Sequence, residues 1–176
     1  MRPWHARRSP RLAGFDYDHP GLYFVTVCTW GREPLLGEVV AREVQLSQAG
    51  RATLETWETL PLRFLAVDLD VFVVMPTHIH GILVLGGGPG LSPDISRPTL
   101  AAVMRVFKSV SGIQGNRALG RTNQPFWQRS YYDRIVRNAR ELALIRQYIT
   151  DNPARWETDV DNPSLTPPPA DHHRHP

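Results

Sequence analysis

Cysteine, lysine and long apolar runs are scarce in this 176-residue sequence. The single cysteine, Cys28, excludes an internal disulfide and a zinc site built from several cysteines. No stretch approaches the roughly 20 consecutive apolar residues of a membrane helix, and no apolar signal-peptide core follows the basic N-terminus. We therefore expect a cytoplasmic protein with no membrane partner. The length suits one compact domain better than two.

The basic residues are almost all arginine, because Lys108 is the only lysine. Positions 97 to 146 hold ten basic residues and two acidic ones, whereas positions 31 to 70 hold seven acidic residues and four arginines. Such asymmetry within one domain is typical of a face that meets a polyanion. Arginines scattered over a solvated surface would give the same count, so charge alone leaves both interpretations open.

The spacing of apolar residues predicts elements in the order β, α, β, β, α, β, α. The predicted strands are 22–30, 67–75, 78–85 and 126–137. The predicted helices are 47–60, 99–110 and 139–151, with Ser47 and Asn138 as N-caps and the last helix stopped by Asn152-Pro153. Strand 67–75 is expected to be buried on both faces and to form, with 78–85, a hairpin near the middle of the sheet. The order predicts an α+β fold, a ferredoxin-like antiparallel sheet with helices packed on one face.

The predicted domain covers residues 1–156, and the proline- and histidine-rich tail 157–176 is expected to be disordered. The glycine-rich loop from Gly86 lacks the Gly-Lys-Ser/Thr ending of a phosphate-binding loop, and it is interpreted as a linker.

Two histidines, His78 and His80, are separated by one residue on a predicted strand. Side chains alternate between the faces of a strand, so both imidazoles project from the same face and can converge on one divalent ion. On the last predicted helix, Tyr148 and Asn152 are four residues apart and share a face. Taken alone, each pair is also typical of ordinary packing and capping.

The two pairs together favour phosphodiester chemistry. A tyrosine nucleophile needs a phosphate whose charge is neutralised, and a divalent metal supplies that charge. Two imidazoles and one amide oxygen leave coordination positions open for phosphate oxygens and water. A nitrogen and oxygen ligand set of this kind suits Mg²⁺ or Mn²⁺.

Five stretches of this sequence resemble one known family. The stretch 73–81, VVMPTHIHG, resembles the His-hydrophobic-His motif of the single-tyrosine transposases. The stretches 127–135, WQRSYYDRI, and 148–156, YITDNPARW, resemble the REP-associated branch of that family, the RAYT proteins. RSPRL at 8–12 and YFVTVC at 23–28 are similar to its N-terminal pattern, so the resemblance covers about Arg7 to Trp156.

The resemblance implies an HUH nuclease fold and a transposase, a single-stranded DNA endonuclease and strand transferase of the nucleoid. Its substrates would be palindromic, REP-like DNA hairpins. Tyr148 matches the nucleophile, which forms a covalent 5′-phosphotyrosine link and releases a 3′-hydroxyl. His78 and His80 match the metal histidines, and Asn152 matches the third ligand. Monomer and homodimer both remain open.

The sequence departs from the family pattern at two positions. Thr77 stands where asparagine is common, a change expected to face solvent and to be tolerated, and Arg134 stands where a histidine is common. Tyr131 and Tyr132 are rival nucleophiles. Adjacent strand residues face opposite sides, however, and neither tyrosine has an amide four residues later, which favours Tyr148.

Five basic residues are the candidates for phosphate contacts and for a salt-dependent affinity for DNA. They are Arg105, Lys108, Arg129, Arg134 and Arg137. Trp127 or Tyr131 could stack on an unpaired base, although Trp127 is expected in the core.

Two alternative functions remain at this stage. One is a domesticated repeat-DNA-binding protein without catalysis. The other is a metal-dependent hydrolase that uses water, for which the nearest candidate bases in the sequence are Asp68 and Asp70.

Overall fold

The computed structural model describes residues 20–86, 97–159 and 162–163. Among these residues it contains a four-stranded sheet and a separate two-stranded hairpin. The strands are β1 (Gly21–Cys28), β2 (Gly37–Val40), β3 (Glu43–Leu46), β4 (Val67–Val74), β5 (His78–Leu85) and β6 (Tyr132–Val136). The main sheet has the order β4-β5-β1-β6, and every neighbouring pair in it is antiparallel. The hairpin β2-β3 is inserted after β1.

Three of the four described α-helices begin at a capping side chain. The four are α1 (Gln48–Glu58), α2 (Leu60–Arg63), α3 (Leu100–Ala118) and α4 (Ala139–Arg155), and a 3-10 turn, Trp156–Thr158, follows α4. Ser47 accepts a hydrogen bond from the Gly50 amide and Asn138 from the Glu141 amide, which confirms both predicted N-caps. Thr99 caps α3 in the same way.

Apolar side chains project from both faces of the main sheet, because successive residues of a strand point to opposite faces. On one face, Val25 and Ile79 join the large core covered by α1 and α3. On the other face, Phe24 and Ile82 pack against α4 in a smaller cluster. The predicted α+β fold with an antiparallel sheet is confirmed. The detail that all helices lie on one face is wrong, because α4 covers the opposite face.

The sheet order corrects the predicted position of the hairpin 67–85. Strand β5 is central, but β4 lies at the edge and is only half-buried along most of its length, so it is not buried on both faces. The last strand is shorter than predicted, and Trp127 meets Thr29 only in an isolated bridge. Helix α3 is longer, reaching Ala118.

Helix α4 continues through Pro153 to Arg155, so the predicted stop at Asn152-Pro153 is wrong. Proline removes one backbone donor, and this loss falls in the last turn of the helix. Asn152 therefore lies within α4 and keeps the helical spacing from Tyr148.

Several predictions lie outside the described residues. They include most of the glycine-rich loop, the N-terminal motif 8–12 and most of the tail. Of the tail, Thr158 ends the 3-10 turn, and the buried Asn162 donates its side-chain amide to the Trp156 carbonyl. No described helix is long and apolar enough to cross a membrane.

Candidate active site

His78 and His80 project from β5 toward α4, and both are fully buried. Their Nε2 atoms are 3.1 Å apart, and their ring centroids are 4.5 Å apart. The alternation of strand side chains puts both rings on one face, and the rings then lean toward each other. The two rings therefore project from the same face of β5, as predicted, and their Nε2 atoms face the same small volume.

A threonine hydroxyl lies beside the Nδ1 atom of each histidine. The Thr26 hydroxyl is 2.7 Å from Nδ1 of His80, and the Thr77 hydroxyl is 3.1 Å from Nδ1 of His78. When Nε2 offers its lone pair, Nδ1 carries the proton and donates it to the hydroxyl oxygen. The two threonines therefore orient both Nε2 atoms toward this volume. Thr77 is fully buried, so its predicted solvent-facing position is wrong.

Tyr148 lies on α4, directly over the histidine face. Its Oη atom is 3.3 Å from Nε2 of His80, and the two ring centroids are 5.1 Å apart. The pKa of Tyr148 is raised to about 12, mainly by burial and secondly by the negative charge of Asp159. A hydrogen bond from Asn152 and the charge of Arg155 oppose this rise. The phenol is therefore protonated near neutral pH unless a further positive charge approaches it.

Asn152 lies one helical turn after Tyr148 and is 2% exposed. Its side chain hydrogen-bonds to Tyr148, but its Oδ1 atom has no hydrogen-bond partner among the described residues. Buried polar atoms without partners are rare in folded proteins and often indicate an absent ligand. An orphaned oxygen on the residue that hydrogen-bonds to Tyr148, together with two convergent imidazoles, fits a divalent cation. No third His, Cys, Asp or Glu joins the histidines in the described ranges, so the amide is the candidate third ligand.

The candidate DNA-binding residues do not form one cluster. Lys108, on α3, donates to the backbone carbonyls of Gln128 and Arg129 at 2.7 Å each. Burial lowers the pKa of Lys108. Its ammonium therefore holds the loop at 128–129, and its contact with phosphate stays a prediction. Arg129 is exposed beside it, and Arg105 is exposed one helical turn earlier on α3.

Arg134 and Arg137 lie elsewhere, at the end of the sheet near the start of α4. Arg134 forms an ion pair with Glu141, so its charge is already partnered. Its strand position pairs with Phe24, whose side chain belongs to the α4 face. The backbone amide of Arg137 donates to the same glutamate, and the residue is exposed.

The rival residues are also located. Tyr131 packs against the large core and Tyr132 against the α4 cluster, which agrees with their predicted opposite faces. Tyr132 pairs with Thr26 and is thus the rival on the histidine face. Asp70 forms two hydrogen bonds with Arg146 of α4, at 3.0 and 2.5 Å, and does not join the histidines.

Sequence analysis missed Thr26, Trp156 and Asp159. The Trp156 ring centroid lies 6.1 Å from that of His78, and Asp159 acts electrostatically on Tyr148. The alternation of β1 could have placed Thr26 on one face, but its neighbour across the sheet depends on strand register. Nothing in the sequence near Asp159 indicates its approach to the phenol.

The antiparallel sheet with a His-x-His strand at its centre and a tyrosine helix across it defines an α+β fold of the HUH transposase type. The solved structure of a REP-associated tyrosine transposase bound to a REP hairpin matches with a TM-score of 0.54 and 20% identity. The match covers 77% of this chain and 68% of that one, and it establishes the fold.

Sequence similarity to a second protein shows the family to which the chain belongs. This chain belongs to the same family as an uncharacterized protein of Haemophilus influenzae, to which it is 33% identical over 171 residues. The match covers 88% of this chain and 92% of that protein. No protein-family model matches the chain.

Proposed function

We propose that this chain is a metal-dependent, single-stranded DNA endonuclease and strand transferase of the transposase type, with Tyr148 as the nucleophile. One observation carries the proposal. Nε2 of His80 lies 3.1 Å from Nε2 of His78 and 3.3 Å from Oη of Tyr148, and the Tyr148 phenol hydrogen-bonds to Asn152, whose Oδ1 has no partner among the described residues. This chain of contacts from the histidines through Tyr148 to Asn152 supports a nucleophile and three candidate ligands in one buried site.

The reaction needs no water in its first step. Oη of Tyr148 attacks the phosphorus, the bond from phosphorus to the 3′ oxygen breaks, and that oxygen takes up a proton as the phenol loses one. The products are a 5′-phosphotyrosine and a free 3′-hydroxyl. Attack by another 3′-hydroxyl reverses the step, joins two strands and restores the phenol.

His78, His80 and Asn152 would hold the cation, Mg²⁺ or Mn²⁺. When bound, the cation supplies positive charge that neutralises the phosphate and favours the ionised phenol. The chain's own residues contribute to the same end. The Asn152 side chain hydrogen-bonds to Tyr148 and lowers its pKa, opposing the effect of burial. Thr26 and Thr77 fix the orientation of the imidazoles.

The geometry favours Tyr148 over the other candidate mechanisms. Tyr132 shares the histidine face but begins β6, a strand away from His80, and has no amide one turn later. A water-using hydrolase would need a carboxylate base at the histidines. Asp70 is instead paired with Arg146, and Asp68 is an exposed residue on edge strand β4.

The proposed substrate is single-stranded DNA that folds into REP-like hairpins. The transposase of similar fold is bound to a REP hairpin, and the basic surface around Arg105 and Arg129 suits a phosphate backbone. These observations support DNA as the partner.

The test uses single-stranded hairpins from palindromes that flank the gene, labelled at the 3′ end. The protein is incubated with them and with Mn²⁺ or Mg²⁺, and a denaturing gel separates DNA from DNA–protein adducts. We expect labelled adduct with the wild-type chain and none with Tyr148→Phe or after EDTA. Tyr132→Phe is the matched control and should retain the adduct.

Each other outcome assigns a different mechanism or function to the chain. Cut label without an adduct, retained in Tyr148→Phe, assigns water as the nucleophile. An adduct lost in Tyr132→Phe and kept in Tyr148→Phe moves the nucleophile to β6. Hairpin binding with neither product, across several flanking palindromes, identifies a DNA-binding protein without catalysis.

A further inference from the structure

A groove of about 390 Å³ lies between α3 and the segment 124–129, outside the candidate active site. We call it the α3 groove. Its volume falls within the roughly 300–1,000 Å³ of sites that bind small ligands. The residues that matter for its chemistry are Ile113, Asn116, Gln124, Gln128 and Arg129.

The wall formed by segment 124–129 is held in place from two sides. The backbone N–H of Gln128 donates to the Cys28 carbonyl at 2.9 Å, next to the bridge between Thr29 and Trp127. From α3, Lys108 binds the carbonyl of Gln128 at 2.7 Å, and Ser111 accepts from the Trp127 indole at 2.9 Å. The groove is therefore formed in advance of any ligand, which lowers the entropic cost of binding.

The lining combines amide side chains with an exposed apolar side chain. Ile113 is 69% exposed at the groove, a large fraction for an isoleucine. Asn116 donates to the Gln124 carbonyl at 2.8 Å, while its Oδ1 is buried and has no partner among the described residues. Amides offer both donors and acceptors, as the edges of nucleobases do, and an apolar side chain packs against the face of a base.

Charge in this part of the chain has one sign. From Arg97 to Tyr132 the sequence has six basic residues and no acidic one. Arg121 forms an ion pair with Glu33 at 3.1 Å, and Lys108 binds carbonyls. Arg105, Arg117 and Arg129 are exposed and have no ion pair within the described residues. The groove therefore complements an anion better than it complements a basic or neutral partner.

The α3 groove lies at the same end of the sheet as the histidines. Cys28 pairs with His78 across β1 and β5, and Gln128 binds the backbone of Cys28 on the other side. Two strand spacings, together about 10 Å, separate the backbone of Gln128 from that of His78. The groove lies on the α3 face and the histidines lie on the α4 face, so a DNA strand leaving the active site would pass around this end of the sheet to reach the groove, a path of several nucleotides.

We propose that the α3 groove binds an unpaired nucleotide of the single strand next to the scissile phosphate. Ile113 contacts the face of the base, the side-chain amide of Gln128 contacts its edge, and Arg129 contacts the adjoining phosphate. This assignment rests on the proposed function, because it places the nucleotide on the strand that Tyr148 cleaves.

The test measures binding of fluorescent hairpins by anisotropy, with the full chain carrying Tyr148→Phe so that the DNA stays intact. Three probes share one stem-loop. The first carries a single-stranded flank, the second carries the same flank without its bases, and the third has no flank. Ile113→Ser and Arg129→Gln should each weaken binding of the flanked probe by about five- to tenfold. On the abasic flank, only Arg129→Gln should retain its effect.

Matched controls lie at the opposite end of the sheet. Leu62→Ser and Arg63→Gln change exposed residues of α2, which precedes the end of β4 that pairs with Leu85. Both controls should bind the flanked probe as the parent protein does. Equal thermal midpoints for all variants exclude a folding defect as the cause.

Several outcomes overturn the groove assignment. If both groove variants bind the flanked probe as the parent does, the groove does not bind the flank, even if the wild-type chain forms the tyrosine adduct. If the groove variants bind the probe without a flank equally weakly, the groove contacts duplex DNA. If the groove variants change the oligomeric state but bind DNA normally, the groove is a contact between protein chains. The expected binding pattern without any adduct supports the groove and overturns only the nuclease mechanism.

Discussion

The Thr26 hydroxyl holds a histidine that is 54 positions away in the sequence. The geometry of the candidate site therefore depends on residues that contact the imidazoles as well as on the imidazoles themselves. Polar groups that orient metal-binding histidines commonly change metal affinity when they are removed.

Replacing Thr26 by valine keeps the shape of the side chain and removes the hydroxyl beside Nδ1 of His80. We expect Mn²⁺ affinity, measured by titration calorimetry, to fall by about 10- to 100-fold because the imidazole loses its orienting partner. Thr53→Val is the matched control, since Thr53 is also buried but binds the Ala49 carbonyl in α1. Equal affinity in the Thr26 variant and the parent would show that the hydroxyl does not position the ligand.

The site residues differ in how far the sequence predicts them. His78 and His80 follow from the two-residue period of a strand, and Tyr148 with Asn152 follows from the four-residue spacing of a helix. The position of Thr26 requires the register of β1 against β5, which no local pattern contains. Thr77 was expected to face solvent, but its carbonyl accepts a hydrogen bond from Thr29 and the residue is buried.

At the scale of elements, α3 packs closely against the segment that follows it. Its two glycines, Gly112 and Gly115, look like helix breakers in the sequence, and the predicted helix ended before them. In the structure Gly115 lies against the Phe126 ring, where an added Cβ would approach a ring carbon to 2.4 Å. The glycine therefore reflects close packing and does not mark the end of the helix.

The two glycines give a matched pair for testing this packing. Gly115→Ala should lower the free energy of unfolding by about 1–3 kcal/mol, because the Phe126 ring must move. Gly112→Ala meets only ordinary contacts at 3.5 Å and should raise it by about 0.5–1 kcal/mol, through the better helix propensity of alanine. Urea denaturation of both variants measures the difference. Equal effects would contradict the described packing of α3.

At the scale of the whole molecule, the sheet separates a large core from a smaller one. The helix that carries Tyr148 packs on the smaller side, held by residues such as Ile145 and Ile149 and by the ion pair of Arg146 with Asp70. The near-continuous apolar run of β5 is typical of a strand that is covered on both faces, because such a strand has no solvent-facing positions for polar side chains. The sequence prediction of one helical layer overlooked this signal.

The ion pair predicts a pH dependence of stability. Hydrogen bonds from Arg146 hold the pKa of Asp70 below its usual value, so the carboxylate stabilises the fold above the unfolded pKa of about 3.9. That contribution is lost as the pH falls through the lowered pKa. Asp70→Asn should reduce the thermal midpoint slightly at neutral pH, and the difference from the wild type should vanish under strongly acidic conditions.

Asp68→Asn is the control, since Asp68 lies on the same strand and is exposed. A deficit of Asp70→Asn that persists at low pH would indicate a packing effect in place of a charge effect. An unchanged midpoint at neutral pH would show that the pair does not hold α4 on the sheet.

The separate layer of α4 has an evolutionary consequence. Under the proposed mechanism, substitutions that loosen this helix would remove the nucleophile and one candidate ligand while the larger core, the histidines and the α3 groove remain. Loss of cleavage would then be accessible by single changes confined to α4. Related chains that have lost cleavage but still bind DNA should diverge first in α4.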